Sequence, residues 1–314
     1  MAINRSNSDA FNDAEKYSQF VIKTLPDILL PDNMYRDVTS ELSDGNTLHI
    51  PTTGAVSIQE VAEGVPLTFS AIDSGEVTMQ ITEYIGDAWY VSDEVRQDYN
   101  RINMLESARA EESVRALAEY RETKFLETLN AAQVQGAGNA INGVDHRAIS
   151  AAADSNVITL DHFRRMKYAF DKANVPQAGR IFLVDPSVEY TLNGLSILTS
   201  SDNPMFEGII TEGFAQSHKF VRNIYGFDIW TTNYLPKGSF TIGGETISTG
   251  VVNSAFSVAS DQHVPLMYAE RKAPSVEGWR DNEERREKFQ TTYRAGWGAQ
   301  RVDTLYNMIT TENV

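Results

Sequence analysis

Apolar and polar positions change their spacing several times along the chain, and each change predicts a different element. In the first forty or so residues the apolar side chains form short clusters (Phe11; Tyr17 with Phe20 and Val21; Ile28 to Leu30) cut by Pro26 and Pro31. That pattern predicts an arm that needs another surface to pack on. From Thr47 to about Val91 the pattern is extended: Leu48-His49-Ile50-Pro51, then Val56 to Val61, then Val77, Met79 and Ile81 alternating with Thr78, Gln80 and Thr82. Gly45, Gly54, Gly64 and Gly75 punctuate it. Its middle is too polar to bury a core, and an isolated two-stranded ribbon is marginal in water, so the ribbon needs support from elsewhere.

Ser92 followed by Asp93 and Glu94 predicts a helix start, with a capping hydroxyl and two acids where the helix dipole favours them. Neither Pro nor Gly occurs from Asp93 to about Gln133, and Val95, Tyr99, Ile102, Val114, Leu117, Phe125 and Leu129 form a drifting apolar stripe. A helix of that length spans about 60 Å and reads as a spine. Gly136, Gly138 and Gly143 end it as a hinge or linker. Compact α/β material follows. Thr159 opens a helix with Leu160, Phe163, Met166 and Phe170 on one face, ending at Val175-Pro176. Ile181 to Val184 is a strand, Asp185-Pro186 starts a short helix through Tyr190 and Leu192, and Phe227 to Trp230 and Phe240 to Ile242 are further strands. Turns are expected at Pro236-Lys237-Gly238 and Gly243-Gly244. Phe289, Thr291, Tyr293, Ala295 and Trp297 alternate with Gln290, Thr292, Arg294 and Gly296, which predicts a half-buried strand. The fold class is α+β.

Composition narrows the function. With no cysteine, thiolate catalysis, disulfides and cysteine-ligated metal centres are excluded, and the cytosol is the natural compartment. Met1 to Phe20 is too polar for a secretory signal, and no apolar run approaches the roughly 20 residues of a membrane helix, so a soluble protein with no membrane partner is expected. A formal charge of -16 argues against tight wrapping of nucleic acid, because phosphate binding needs Lys and Arg to displace counterions.

The sequence carries no catalytic constellation. His49, His146, His162, His218 and His263 are scattered without metal-ligand spacing, and Gly136-x-Gly138 lacks the strand and third glycine of a dinucleotide loop. Acidic pairs such as Asp185 with Glu189, or Glu111 with Glu112, read as capping or solvated acids. No catalytic residue, cofactor site or metal site is assigned. One segment stands out: Arg280, Asp281, Glu283, Glu284, Arg285, Arg286, Glu287 and Lys288 pack four positive and four negative charges into nine residues beside Trp279. It reads either as a solvated loop or as a loop making ion pairs with a neighbouring subunit.

The order of arm, extended loop, spine helix, α/β domain and returning strand resembles the major capsid proteins of tailed phages with the Hong Kong 97 fold. Specific stretches carry the likeness: Asn174-Val175-Pro176 leading to Gly179-Arg180-Ile181-Phe182-Leu183-Val184-Asp185-Pro186, Gly226-Phe227-Asp228-Ile229 leading to Thr232-Asn233-Tyr234-Leu235-Pro236, and Glu277-Gly278-Trp279-Arg280-Asp281 running into the alternating strand. The resemblance implies an arm over residues 1–46, an extended loop over 47–92, a peripheral domain from 93–137 with 276–314, and an axial domain over 138–275. It implies a virion protein, assembled in the host cytoplasm, that builds pentamers and hexamers of an icosahedral head around double-stranded DNA without sequence-specific contacts. Portal and decoration or cement proteins are the implied further partners. Subunit contacts are expected at Phe11, Tyr17 and Phe20 of the arm, Glu60 and Glu63 of the loop, and Trp279, Arg280, Glu284, Arg285 and Arg286 of the charged segment. Two departures from the family's namesake matter. No lysine occurs between Lys23 and Lys124, so covalent crosslinking through the loop is not expected, and the short region ahead of the ribbon points to a separate scaffolding protein. An encapsulin-like nanocompartment shell is the alternative within the fold, and from another class an enzyme using the α/β segment around Asp185, which would need a cleft of convergent polar groups.

Overall fold

The computed structural model describes residues 29–312, except 43, 55–57, 62, 65, 67–68, 70, 73, 99–101, 134–139 and 195–219. Two sheets organise it. The larger has seven strands in the order β7 (Arg147–Ile149), β15 (Leu305–Thr311), β12 (Glu245–Ser257), β8 (Arg180–Val184), β10 (Phe227–Thr231), β9 (Phe220–Ile224), with β11 (Lys237–Ile242) paired to the first half of β12. Every residue of β8 is buried because both faces of the sheet are covered there. Phe182 and Val184 pack under α3 (Leu160–Lys172) with Phe163, Met166 and Phe170, while Ile181 and Leu183 pack under the spine helix with Phe125, Leu126 and Leu129. Arg180 is buried as well. Its guanidinium donates to Asp171 (2.7 Å) and to the Val175 (2.7 Å) and Pro176 (2.9 Å) carbonyls, closing the end of α3.

The spine occurs as α1 (Asp93–Asp98) and α2 (Ile102–Ala132) on either side of residues 99–101, which lie outside the described residues. Its C-terminal end is tied to the seven-stranded sheet. Arg147 donates to the carbonyls of Asn130 (3.1 Å) and Gln133 (2.6 Å), and Asn307 to that of Leu129 (3.1 Å), which satisfies carbonyls the helix leaves orphaned and puts a cation where its dipole is negative.

The smaller sheet runs β1 (Arg36–Asp37), β13 (Leu266–Asp281), β14 (Arg286–Ala299), β4 (Glu83–Ser92), with the middle of α2 on one face. Leu117 packs there on Tyr268, Tyr293 and Ala295. A two-stranded ribbon, β2 (Thr47–Thr53) with β3 (Ser74–Gln80), leaves this sheet, and β5 (Ala140–Ile141) with β6 (Val144–Asp145) forms a short hairpin. Pro51 fits in β2 because both ribbon strands are edges. The short helix begun by Asp185-Pro186 is α4 (Pro186–Gly194).

Several boundaries differ from the sequence reading. The run ending near Val91 contains two distinct strands: β3 belongs to the ribbon, whereas β4 pairs with β14 along its whole length. Ile58 to Val61 belongs to no assigned strand. Lys237 and Gly238 start strand β11 instead of a turn, since Lys237 pairs with Val251. A strand not read from the sequence, β15, lies inside the seven-stranded sheet: it pairs with the 13-residue β12, and Leu305 and Ile309 are buried there.

Candidate assembly surfaces

The ribbon is anchored at one end and bare at the other. At its base Leu48, Ile50 and Val77 pack against Val38, Leu42, Met79, Ile81, Met267 and Ala269. Close approach requires Gly296 here, because a Cβ at that position would lie 2.6 Å from the Gln80 carbonyl oxygen and 2.7 Å from the Ile81 Cα. Beyond Thr53 the large apolar side chains among the described residues are exposed: Ile58 is 94% exposed, Phe69 95% and Ile72 87%. Residues 54–73 carry Glu60, Glu63 and Asp73 and neither Lys nor Arg. The described members Glu60 and Glu63 are both exposed. Four large side chains (Ile58, Val61, Phe69, Ile72) held out in water by a rooted ribbon mark a surface built for contact with another molecule.

The face of the smaller sheet turned away from α2 offers the opposite chemistry. The strand register puts Trp279, Lys288 and Tyr90 in one cross-strand row, Asp281 and Arg286 in the next row outward, and Arg294 beside Tyr84 at the other end. Tyr84, Tyr90 and Trp279 are exposed, and the Arg286 guanidinium lies 4.4 Å over the Tyr90 ring. Lys272, Arg286, Lys288 and Arg294 outnumber Glu277 and Asp281 on this face of an otherwise acidic chain. Lys288 beside Asp281, and Lys272 beside Glu277, hold those carboxyls below the usual carboxylate range.

The charged segment is the tip of the β13–β14 hairpin, and most of its ions pair within the chain. Arg280 donates to Asp93 (2.6 and 3.1 Å), Lys288 and Arg286 both meet Glu284, and Glu287 meets Arg96. Arg285 sits exposed at the turn with φ 52 and accepts a hydrogen bond on its carbonyl from the Asp93 backbone. Of the sequence-assigned contact residues, Trp279 and Arg286 therefore share the outward face, Arg280 turns toward the helix side, and Glu284 and Arg285 cap the hairpin. Phe11, Tyr17 and Phe20 lie outside the described residues. Tyr84, Tyr90 and Arg294 were not singled out from the sequence as contacts, and Lys288 was named only as part of the charged segment. Aromatics occupy both faces of β4, Trp89 on one and Tyr90 on the other, so no amphipathic signal separates them.

Where the arm reaches the body it is pinned. Buried Glu122 on α2 accepts from the Leu30 backbone (2.7 Å) and from the Thr232 hydroxyl (2.9 Å), Asp32 pairs with Arg121 (2.8 Å), and Tyr35 packs on Phe125, Tyr268 and Trp297. Burial raises the Tyr35 phenol far above its ordinary value.

Among the described residues nothing else gathers reactive groups. Asp185 accepts from the Ser187 backbone (3.0 Å) and hydroxyl (2.6 Å), the geometry of a helix N-cap, with Lys237 at 3.6 Å. His146 is buried, its Nδ1 against the Leu305 carbonyl (3.0 Å), and burial lowers its pKa; burial also lowers that of His162, which closes the start of α3 by accepting from the Thr159 backbone (3.0 Å). His218 lies outside the described residues. Among the described residues no group of His, Asp or Glu could hold a metal ion, and no helix is long and apolar enough to cross a membrane.

A mixed α/β body rooted to a spine helix, with an uncovered ribbon and a bare sheet face, defines a shell-building structural protein. The match to known proteins is specific: the family model described as phage capsid protein covers residues 75–306, and the chain belongs to that family. No curated protein matches it. Among solved structures the chain is similar to one from Mycobacterium phage Che8 (20% identity, TM-score 0.68, covering 95% of this chain and 98% of that one). It is also similar to the capsid of cyanophage P-SCSP1u (16%, TM-score 0.73, 96% and 94%) and to the mature capsid of bacteriophage PhiM1 (14%, TM-score 0.74, 98% and 95%). These neighbours share the Hong Kong 97-type fold. The family match favours a phage major capsid subunit over a nanocompartment shell.

Proposed function

We propose that copies of this chain close into the icosahedral head of a tailed phage, as pentamers and hexamers around double-stranded DNA, with the ribbon of one copy lying on the outward sheet face of the next. The observation that carries this is the rooted ribbon with a bare apolar, acidic tip, set against an aromatic, cationic face on the same chain. Apolar burial supplies the attraction and the opposed charges the register. The arm, with Phe11, Tyr17 and Phe20, adds a second tie between copies. A separate scaffolding protein directs closure, a portal occupies one vertex, and a decoration or cement protein binds the outside. DNA is enclosed without sequence-specific contacts, assembly takes place in the host cytoplasm, and the product resides in the virion. The chain performs no catalysis of its own: Asp185, around which an enzyme would have been built, is engaged as a helix cap.

Negative-stain electron microscopy of the protein expressed alone and with its scaffolding partner tests this reading. Uniform closed particles that appear or improve with the scaffold are expected. Monomers or small oligomers in both samples would refute it.

A further inference from the structure

Along α2 the packing against the smaller sheet changes character. Leu117 sits on Tyr268 and Tyr293 in a dry cluster. One helical turn earlier is Ser113, and one row further out on the same sheet face are Thr291 and Asp87, followed by Phe289 and Trp89. Ser113 and Thr291 are buried, yet their hydroxyls have no hydrogen-bond partner, nor does the buried Trp89 Nε1. Three polar groups without a protein partner on these elements mark a seam where the packing satisfies its polar atoms less well. Outside the seam two ionic contacts join helix to sheet: Arg109 to Asp87 (2.6 Å), with its guanidinium 5.8 Å over the Trp89 ring, and Arg96 of α1, which bridges Glu106 of α2 (2.6 Å) and Glu287 of β14. Arg109 and Arg96 are both substantially open to solvent, where ion pairs are weak and salt screens them.

We infer that residues 102–113 of α2 form an ionic latch on the outer part of the sheet, opening across the seam about a pivot at Leu117 and Tyr293 while the rest of the helix stays fixed. Beyond the pivot the helix is held by Phe125, Leu126 and Leu129 and by the Arg147 cap, which salt does not loosen. On the capsid reading, pentamer and hexamer positions of one closed shell differ in curvature, and a latch lets each copy change the angle between helix and sheet without unfolding.

Hydrogen–deuterium exchange of the unassembled full-length chain, read by mass spectrometry at about 0.05 M and about 0.5 M NaCl, tests the latch independently of assembly. Amides in 102–113 should exchange about threefold or more faster at high salt, with 117–132 unchanged. Arg109→Gln should show the fast rate already at low salt. Ser113→Ala combined with Thr291→Val removes the partnerless hydroxyls from the seam and should slow exchange in 102–113. A salt response shared equally along the whole of α2, or wild-type exchange in both variants, would overturn the inference.

Discussion

Replacing Phe69 and Ile72 together by serine separates folding from assembly. Both side chains are almost wholly exposed in the subunit (95% and 87%), so their removal changes subunit stability by no more than about 0.5 kcal/mol. In a shell that covers them, each gives about 1.5–3 kcal/mol of apolar burial. The double substitution then removes about 3–6 kcal/mol per contact, a factor of about 10² to 10⁴ in pairwise association. In the proposed arrangement every subunit both offers a ribbon and receives one, so the loss would recur at each contact around a capsomer. Urea titration of the unassembled chain and sedimentation of assembly mixtures supply the two readouts. Expected are superimposable unfolding curves and no fast-sedimenting shells at concentrations where wild type assembles. Normal shells would show that the tip is not an assembly element, and a fall of more than about 2 kcal/mol in subunit stability would show that the tip packs within its own chain.

Glu122→Ala strips the partners from the Leu30 amide and the Thr232 hydroxyl and should cost about 2–4 kcal/mol, a drop of about 3–6 °C in Tm for a chain of this size; an unchanged Tm would refute the pin. Gly296→Ala forces the Gln80 and Ile81 backbone off β14, so heightened proteolysis of the ribbon with the seven-stranded sheet intact by exchange is expected, and wild-type proteolysis would refute the crossing. His146 and His162 have lowered pKa values through burial, with Asp154 partly opposing the shift at His162. Their stabilisation is complete above the unfolded value near 6.5 and falls as pH drops below it, by at most about 1.4 kcal/mol per pH unit for each histidine. The urea midpoint should therefore fall between pH 7.5 and 5.5, more shallowly in His146→Gln, whereas a flat profile would refute the assignment.

Much of the fold was legible because local pattern and tertiary environment agreed. The run Arg180 to Val184 is apolar apart from Arg180 and is buried on both faces, and Phe163, Met166 and Phe170 of the α3 stripe are the residues that pack on it. Legibility failed where partners are distant. Nothing local in Leu305 to Thr311 tells that its ladder is β12, about fifty residues earlier, and nothing in Glu83 to Ser92 separates it from the preceding ribbon strand. The charged hairpin showed its residues but not their use, since pairing Arg280 with Asp93 depends on a contact across 187 positions. The outward sheet face was hidden because it exists only once three strands align Tyr84, Tyr90 and Trp279.

The spine helix belongs to both cores at once: Leu117 lies in the cluster of the smaller sheet, and Phe125, Leu126 and Leu129 in that of the larger. A pull on the ribbon passes through Met79 and β14 into the middle of the helix, and from there through the Arg147 cap into the seven-stranded sheet. The subunit is thus a beam between two anchorages. Load on a shell of such beams would pass from one sheet to the other through the helix, between the Leu117 contacts and the Arg147 cap.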